Sequence, residues 1–266
     1  MLRKFAELIN REVVIRRTLP QRVGGGAIFV SPDSALSYWK RDLETTFSSL
    51  FDWVEAAVSE GDVVWDIGAN VGAFAFAAAG KAGQTGRVLA VEPDVFLVGL
   101  LQRTARLELP LRAPVEVLPL ATGAEIDVAR FCIAERGRSS NHLKSSAGGA
   151  ETGGVRFESL VPMVTLDWLA QRFPAPNVLK IDVEGAEVDV LRGGLELLKT
   201  ASPTVVCEVF ADHIEAVTQL LKSCGYHFFD ADNLADGEIS CASYNTLAVR
   251  DVSSVHAAQA NRRRAA

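Results

Sequence analysis

The stretch VVWDIGANVGAFAF, residues 63–76, constrains the fold more than any other. A short apolar run ends on an acid, Asp66, and glycines follow at once. Runs of this kind, bounded by turn residues, read as strands buried on both faces. Gly68 and Gly72 permit a tight turn, and the alanine-rich string after them reads as a helix closed by Gly80. Strand, glycine turn and helix together form the opening unit of an α/β sheet.

The alternation continues along the chain. RVLAVEP (87–93) reads as the second strand, VEVLPL (115–120) as the third and NVLKIDV (177–183) as the fourth. PTVVCEV (203–209) reads as the fifth, and YHFFD (226–230) and YNTLAV (244–249) as the last two. Between them, Asp94 can cap a helix striped by Leu97, Leu100, Leu101 and Leu107. Val188, Leu191, Leu195 and Leu198 share one face of a helix after the fourth strand. DHIE (212–215) has the spacing of a capping box, with Gly225 closing that helix. The pattern predicts an α/β, doubly wound, mostly parallel sheet over residues 61–251.

Three segments fall outside the alternation. Residues 1–60 read as an accessory segment: a short amphipathic helix, a glycine turn at 24–26 leading into a strand, and a helix from Asp42 to about Gly61. That last helix carries Phe47, Leu50, Phe51, Val54 and Val58 at helical spacing. Residues 121–165 read as an insertion, two strands flanking a long loop of the kind that forms lids. Residues 252–266 read as a disordered tail.

Composition excludes several function classes. A net charge of −6 is wrong for a general nucleic-acid binder. The four cysteines form no CxxC pair, so neither a zinc ribbon nor a redox dithiol is expected, and the thiols read as those of a reduced, cytoplasmic protein. No apolar run approaches the roughly 18 residues of a membrane span.

Ligands of doubly wound sheets bind outside the C-terminal ends of the strands, where strand order reverses. A dinucleotide fingerprint would need G-x-G-x-x-G, but the turn here reads Gly68-Ala69-Asn70-Val71-Gly72. An acid at Asp66 would repel a pyrophosphate and suit a cationic group. Glu92 lies about 20 residues beyond Gly72, where an acid can accept both hydroxyls of a ribose. A ribose, a positive end and no pyrophosphate at the turn together describe S-adenosylmethionine. The competing readings are a nicotinamide oxidoreductase, disfavoured by the missing glycine pattern and by Asp66, and a non-catalytic protein that keeps the fold as a scaffold. A nucleic-acid methyltransferase is disfavoured by the acidic balance.

DIGANVG, VEPD, VPMVTLDWL, LKIDVEGAEVDVLRGG and VVCEV resemble the FkbM family of S-adenosylmethionine-dependent methyltransferases, over roughly residues 60–250. The resemblance implies a seven-stranded sheet of order 3-2-1-4-5-7-6 whose last strand is antiparallel, with the insertion following strand three. It also implies O-methylation of a hydroxyl on a small-molecule natural product or a glycan. Asp66, Gly68, Asn70 and Gly72 match the family's cofactor loop and Glu92 its ribose acid. With Ala69, Pro93 and Asp182 they make up the expected cofactor-binding set.

The cofactor would bring an activated methyl, so the protein's task is alignment and removal of a proton. Asp182, at the end of the fourth strand, is the first candidate for base or cofactor anchor, and Glu184 opens the helix that follows. His142, in the insertion's loop, could take the proton if that loop closes over the pocket. Glu208 and His213 form a second tier. Asp182, Glu208 and His213 are oxygen and nitrogen donors of a kind that can hold a metal, but their spacing does not demand magnesium and no metal is expected.

Overall fold

The computed structural model describes residues 9–107, 111–146 and 153–253. The strands are β1 (Ile15–Thr18), β2 (Ala27–Val30), β3 (Val63–Ile67), β4 (Arg87–Val91), β5 (Val115–Leu118), β6 (Ala121–Thr122) and β7 (Asp127–Ala134). They continue with β8 (His142–Leu143), β9 (Val155–Val164), β10 (Val178–Ile181), β11 (Thr204–Glu208), β12 (His227–Asp230), β13 (Glu238–Ile239) and β14 (Asn245–Val249). The central sheet runs β5-β4-β3-β10-β11-β14-β12-β13. It has eight strands where seven were expected, because the two-residue β13 adds to the outer edge.

β5, β4, β3, β10 and β11 pair in parallel, and β14 runs antiparallel to both β11 and β12. From β3 the chain winds outward through β4 to β5, then returns to place β10 on the other side of β3. The β3/β10 seam is therefore the reversal point, where a ligand cleft forms.

Helices cover both faces, which is why the strands at the seam are apolar apart from Asp66 and Lys180. One face packs Phe51, Val54, Phe74, Phe76, Leu97 and Leu101 under the sheet. The opposite face buries Trp65, Ile67, Leu89, Leu166, Leu191 and Leu198. The helix Ala73–Ala82 has buried residues all round because the N-terminal turn at Gln21–Val23 lies against its Gly80 side.

Several local expectations need correction. The helix after β3 runs through Gly80 and ends at Gly83. A Cβ on Gly80 would lie 2.1 Å from the Val23 carbonyl oxygen, so glycine stands there for close packing of the N-terminal turn. The helix expected over 42–61 is two, Leu43–Thr46 and Ser48–Ala57, broken at Phe47. The apolar face carried by Val188 to Leu198 is shared by Glu187–Arg192 and Leu195–Thr200, interrupted by Gly193 and Gly194. The DHIE string forms a 3-10 turn leading into Ile214–Ser223, without a side-chain cap. Ile15–Thr18 is a strand paired with β2, where a helix was expected to extend. Residues 1–8 and the tail from 254 lie outside the described residues.

The insertion is a second, four-stranded sheet of order β6-β9-β7-β8. Its inner face buries Phe131, Ile133, Leu143 and Val161 against Ala186, just beyond the end of β10. It thus stands as a wall over the reversal point. Residues 147–152, part of the loop expected to be a lid, lie outside the described residues.

Candidate active site

A cavity of about 280 Å³ opens at the C-terminal ends of β3, β4, β10 and β11. Ile67, Gly68 and Asn70 form its floor, Glu92 and Pro93 one end, and Asp182, Glu184 and Glu208 the other. Phe131, Leu143 and Arg138 of the insertion close it from above.

Backbone geometry explains the floor. Gly68 and Asn70 have φ of 78° and 53°, the left-handed region that favours glycine and tolerates asparagine. A Cβ on Gly68 would fall 1.8 Å from the Asp182 carbonyl oxygen, so the β3 and β10 termini can meet only across a glycine. Gly68→Ala is expected to push those strand ends apart and to abolish S-adenosylhomocysteine binding in calorimetry, with a stability loss of about 1–3 kcal/mol or more. Wild-type affinity in that variant would show that the close contact is dispensable. Gly72 does not line the cavity: a Cβ there would meet Leu101 and Phe76, so its absence permits the helix start to pack. Ala69 is likewise buried outside the lining.

Glu92 is held by two backbone amides. Asn70 N–H donates to its Oε2 at 2.8 Å and Asp94 N–H to its Oε1 at 2.9 Å. Burial nevertheless pushes its pKa up to about 8, with the nearby Asp94 charge adding to the rise. The folded value lies above the ordinary one of 4.5, so between pH 4.5 and 8 the folded chain holds a proton that the unfolded chain has lost. Stability of the ligand-free protein is thus expected to fall as pH rises through that window. Hydroxyl groups donating to Glu92 favour its ionised form, so cofactor binding near pH 7 should release up to about one proton. Calorimetry in buffers of different ionisation heat measures this. Glu92→Gln should remove the release, and no proton release in the wild type would contradict the assignment.

Asp66, expected to face the ligand directly, is set back from the cavity. It is fully buried and outside the cavity lining, and its Oδ1 lies 3.0 Å from Lys180 Nζ. The β3–β10 register sets Lys180 directly opposite Asp66, so both side chains project from the same face. Lys180 Nζ also reaches Asp182 Oδ2 at 3.2 Å and donates to the Gly68 carbonyl at 3.2 Å. Burial disfavours its ammonium, but the two carboxylates outweigh that effect and raise its pKa. Lys180, to which the sequence alone assigns no catalytic role, is the cation that ties the floor together. Asp66 stands one step behind the cavity, paired with that lysine.

Asp182 does line the cavity, as does Glu184, whose positive φ of 52° turns the chain within the D-V-E-G loop rather than opening the helix, which begins at Glu187. That loop is braced from behind: Gly185 N–H donates to Glu187 Oε1 at 2.7 Å. Glu187 Oε2 takes His213 Nδ1 at 2.9 Å, which places His213 in support of the loop and outside the lining. His142 is a strand residue, buried in β8 outside the lining, with Nδ1 3.1 Å from the Ser140 carbonyl. Its sequence neighbour Asn141 lines the cavity in its place.

Glu208, at the end of β11, is the carboxylate best tuned for accepting a proton. Burial and the adjacent Asp182 charge raise its pKa to about 7, while the Tyr244 hydroxyl, donating to Oε1, opposes the rise. Among the described residues no three His, Cys, Asp or Glu side chains come together as metal ligands do. No described helix is long and apolar enough to cross a membrane.

Residues 66–228, more than half of the chain, match the model of the methyltransferase FkbM domain. The chain belongs to the FkbM methyltransferase family. It is an S-adenosylmethionine-dependent methyltransferase, which sets aside the oxidoreductase and scaffold readings. The hexuronic acid methyltransferase AglP of Haloferax volcanii is 30% identical over 215 residues, covering 78% of this chain and 81% of that one. Methyltransferase FkbM from Methylobacillus flagellatus is 15% identical with a TM-score of 0.38, and this chain covers 65% of itself but only 46% of that longer protein. A TehB-like methyltransferase from Corynebacterium glutamicum is 12% identical with a TM-score of 0.40, over 80% of this chain and 90% of that one. Both structural likenesses are too loose to bear on the chemistry of the site.

Proposed function

We propose that this FkbM-family enzyme methylates a hydroxyl oxygen on a glycan-type acceptor, with the cofactor lying from Glu92 to Asp182. The residues present fit such a cofactor. Glu92 offers two carboxylate oxygens at one end, Gly68 leaves room at the middle, and carboxylates at the far end suit a cationic group. When bound, S-adenosylmethionine supplies an electrophilic methyl. Glu92 holds the ribose, Asn70 aligns Glu92 through its backbone amide, and Asp182, steadied by Lys180, faces the cationic end. Glu208 takes the hydroxyl proton as the oxygen attacks. Phe131 and Leu143 exclude water from above.

The observation that carries the hydroxyl reading is Glu208, a cavity carboxylate with a pKa of about 7 beside Asp182. A hydroxyl needs such a base. A carboxylate acceptor needs none and would be repelled by Asp182, Glu184 and Glu208. The relative named for hexuronic acid supports a sugar framework for the acceptor.

The test has two stages. S-adenosylhomocysteine at about a hundred times its Kd should stabilise the protein by about 2.7 kcal/mol, whereas NAD should not. Incubation with S-adenosylmethionine and neutral or uronic methyl glycosides should then give a base-stable methyl ether. A base-labile methyl ester on a uronic carboxyl would overturn the hydroxyl assignment.

A further inference from the structure

A buried polar network lies beside the cavity, and its centre is Arg138. This residue comes from the 3-10 turn Arg138–Ser140 of the insertion, and only 5% of it is exposed. Its Nη1 donates to Asp94 Oδ2 at 2.6 Å and its Nε to Asp33 Oδ2 at 2.8 Å. Its guanidinium also lies over the Phe96 ring, 4.6 Å from the centroid. Asp94 is capping the helix Val95–Ala105 through Phe96 N–H, and it accepts a further bond from Asn141 Nδ2 at 2.8 Å. Asp33, in the N-terminal segment, is gripped again by Arg156 at 2.7 Å. One residue thus joins three parts of the chain that are far apart in sequence.

Each end of this network reaches the expected ribose position. The Asp94 amide is one of the two donors that hold Glu92, so Arg138 bonds to the residue that positions that acid. Next to Asp33, Ser34 Oγ donates to Asn70 Oδ1 at 2.6 Å, and the Asn70 amide is the other donor to Glu92. The turn is also sewn to the N-terminal segment through backbone, with Arg138 N–H on the Asp33 carbonyl at 2.9 Å and Ser139 N–H on the Ser34 carbonyl at 3.2 Å. Arg138 and Ser139 themselves line the cavity.

We propose that Arg138 is a positioning residue for the cofactor, holding the insertion's turn and the N-terminal segment as a strap across the ribose end of the cavity. This rests on the reading that Glu92 marks that end. The forked guanidinium is essential because it must satisfy two buried carboxylates at once, a task a lysine point charge cannot share out in the same way. The N-terminal segment is then a part of the cofactor site, acting through Asp33 and Ser34, although Asp33 does not line the cavity.

Hydrogen exchange on the wild-type protein tests this without a variant that must fold. Adding S-adenosylhomocysteine should slow exchange of the Arg138 and Ser139 amides, because a seated ligand favours the closed strap. Arg138→Lys should raise the Kd for S-adenosylhomocysteine about tenfold, within the usual range of coupling between sites, and Asp33→Asn should act in the same direction. The double variant should bind no more weakly than the worse single one, since both break one link. Unchanged exchange on ligand addition, or wild-type affinity in Arg138→Lys, overturns the strap while leaving the cofactor reading intact. Failure of the wild type to bind S-adenosylhomocysteine overturns both.

Discussion

Replacing Lys180 by methionine is expected to cost the fold about 3–5 kcal/mol, the ordinary penalty for leaving a buried carboxylate without its cation. Asp66 is fully buried, and Lys180 Nζ at 3.0 Å is the charge that offsets its burial. The same ammonium lies 3.2 Å from Asp182, so the variant should also lose hold of a cavity residue. Urea unfolding would show a lower midpoint with little change in slope. Adding Asp66→Asn in the Lys180→Met background should restore much of the loss, because the uncompensated charge is then gone. The Lys180 pKa lies above its ordinary 10.5, so its contribution is lost as pH rises beyond that value, and because burial raises the Asp66 pKa the pair is also lost in acid as Asp66 takes up a proton. A wild-type unfolding midpoint in Lys180→Met would mean that Asp66 is neutral in the folded protein.

Glu208→Gln is expected to lower kcat by about 10²–10⁴-fold, the usual contribution of a positioned base, while cofactor affinity changes little. Glutamine keeps the shape and can still accept from Tyr244, but it cannot take a proton. The wild-type rate should rise with pH through about 7, as Glu208 ionises, and that limb should be missing in the variant. Tyr244→Phe is the companion experiment. It removes a hydrogen bond that favours the carboxylate, so the same limb should move to higher pH. A kcat that survives Glu208→Gln would return the base role to Asp182.

Much of the fold was legible because the signals for it are local. Strand-length apolar runs bounded by glycine and acid marked the strands from β3 to β14 that build the central sheet, apart from β13. Two residues of strand at an outer edge bury little and leave no pattern to read. The helix breaks at Phe47 and at Gly193–Gly194 were hidden because apolar spacing continues across them. The N-terminal segment looked accessory for the same reason. Nothing in residues 1–60 reveals that Val23 will sit against Gly80 or that Asp33 will meet Arg138.

The site divides along the same line. Gly68, Asn70, Glu92, Asp182 and Glu184 were marked by sequence and do line one cavity, since each sits at or just after a strand end, where the fold delivers a ligand. Asp66 and His142, also marked by sequence, do not line that cavity. Neighbours in sequence alternate between cavity and core, and only the register shows that Asp66 points at Lys180. Arg138 carried no signal, being one arginine in a polar loop, and Tyr244 was a strand residue like any other. The family, the parallel sheet and the cavity acid Glu92 were therefore determined by sequence, because spacing along one strand–turn–helix unit suffices to specify them. Which carboxylates line the cavity, and which is spent on a buried lysine, was decided by tertiary structure alone. Burial and charge pairing depend on residues that meet only when distant strands and an insertion pack together.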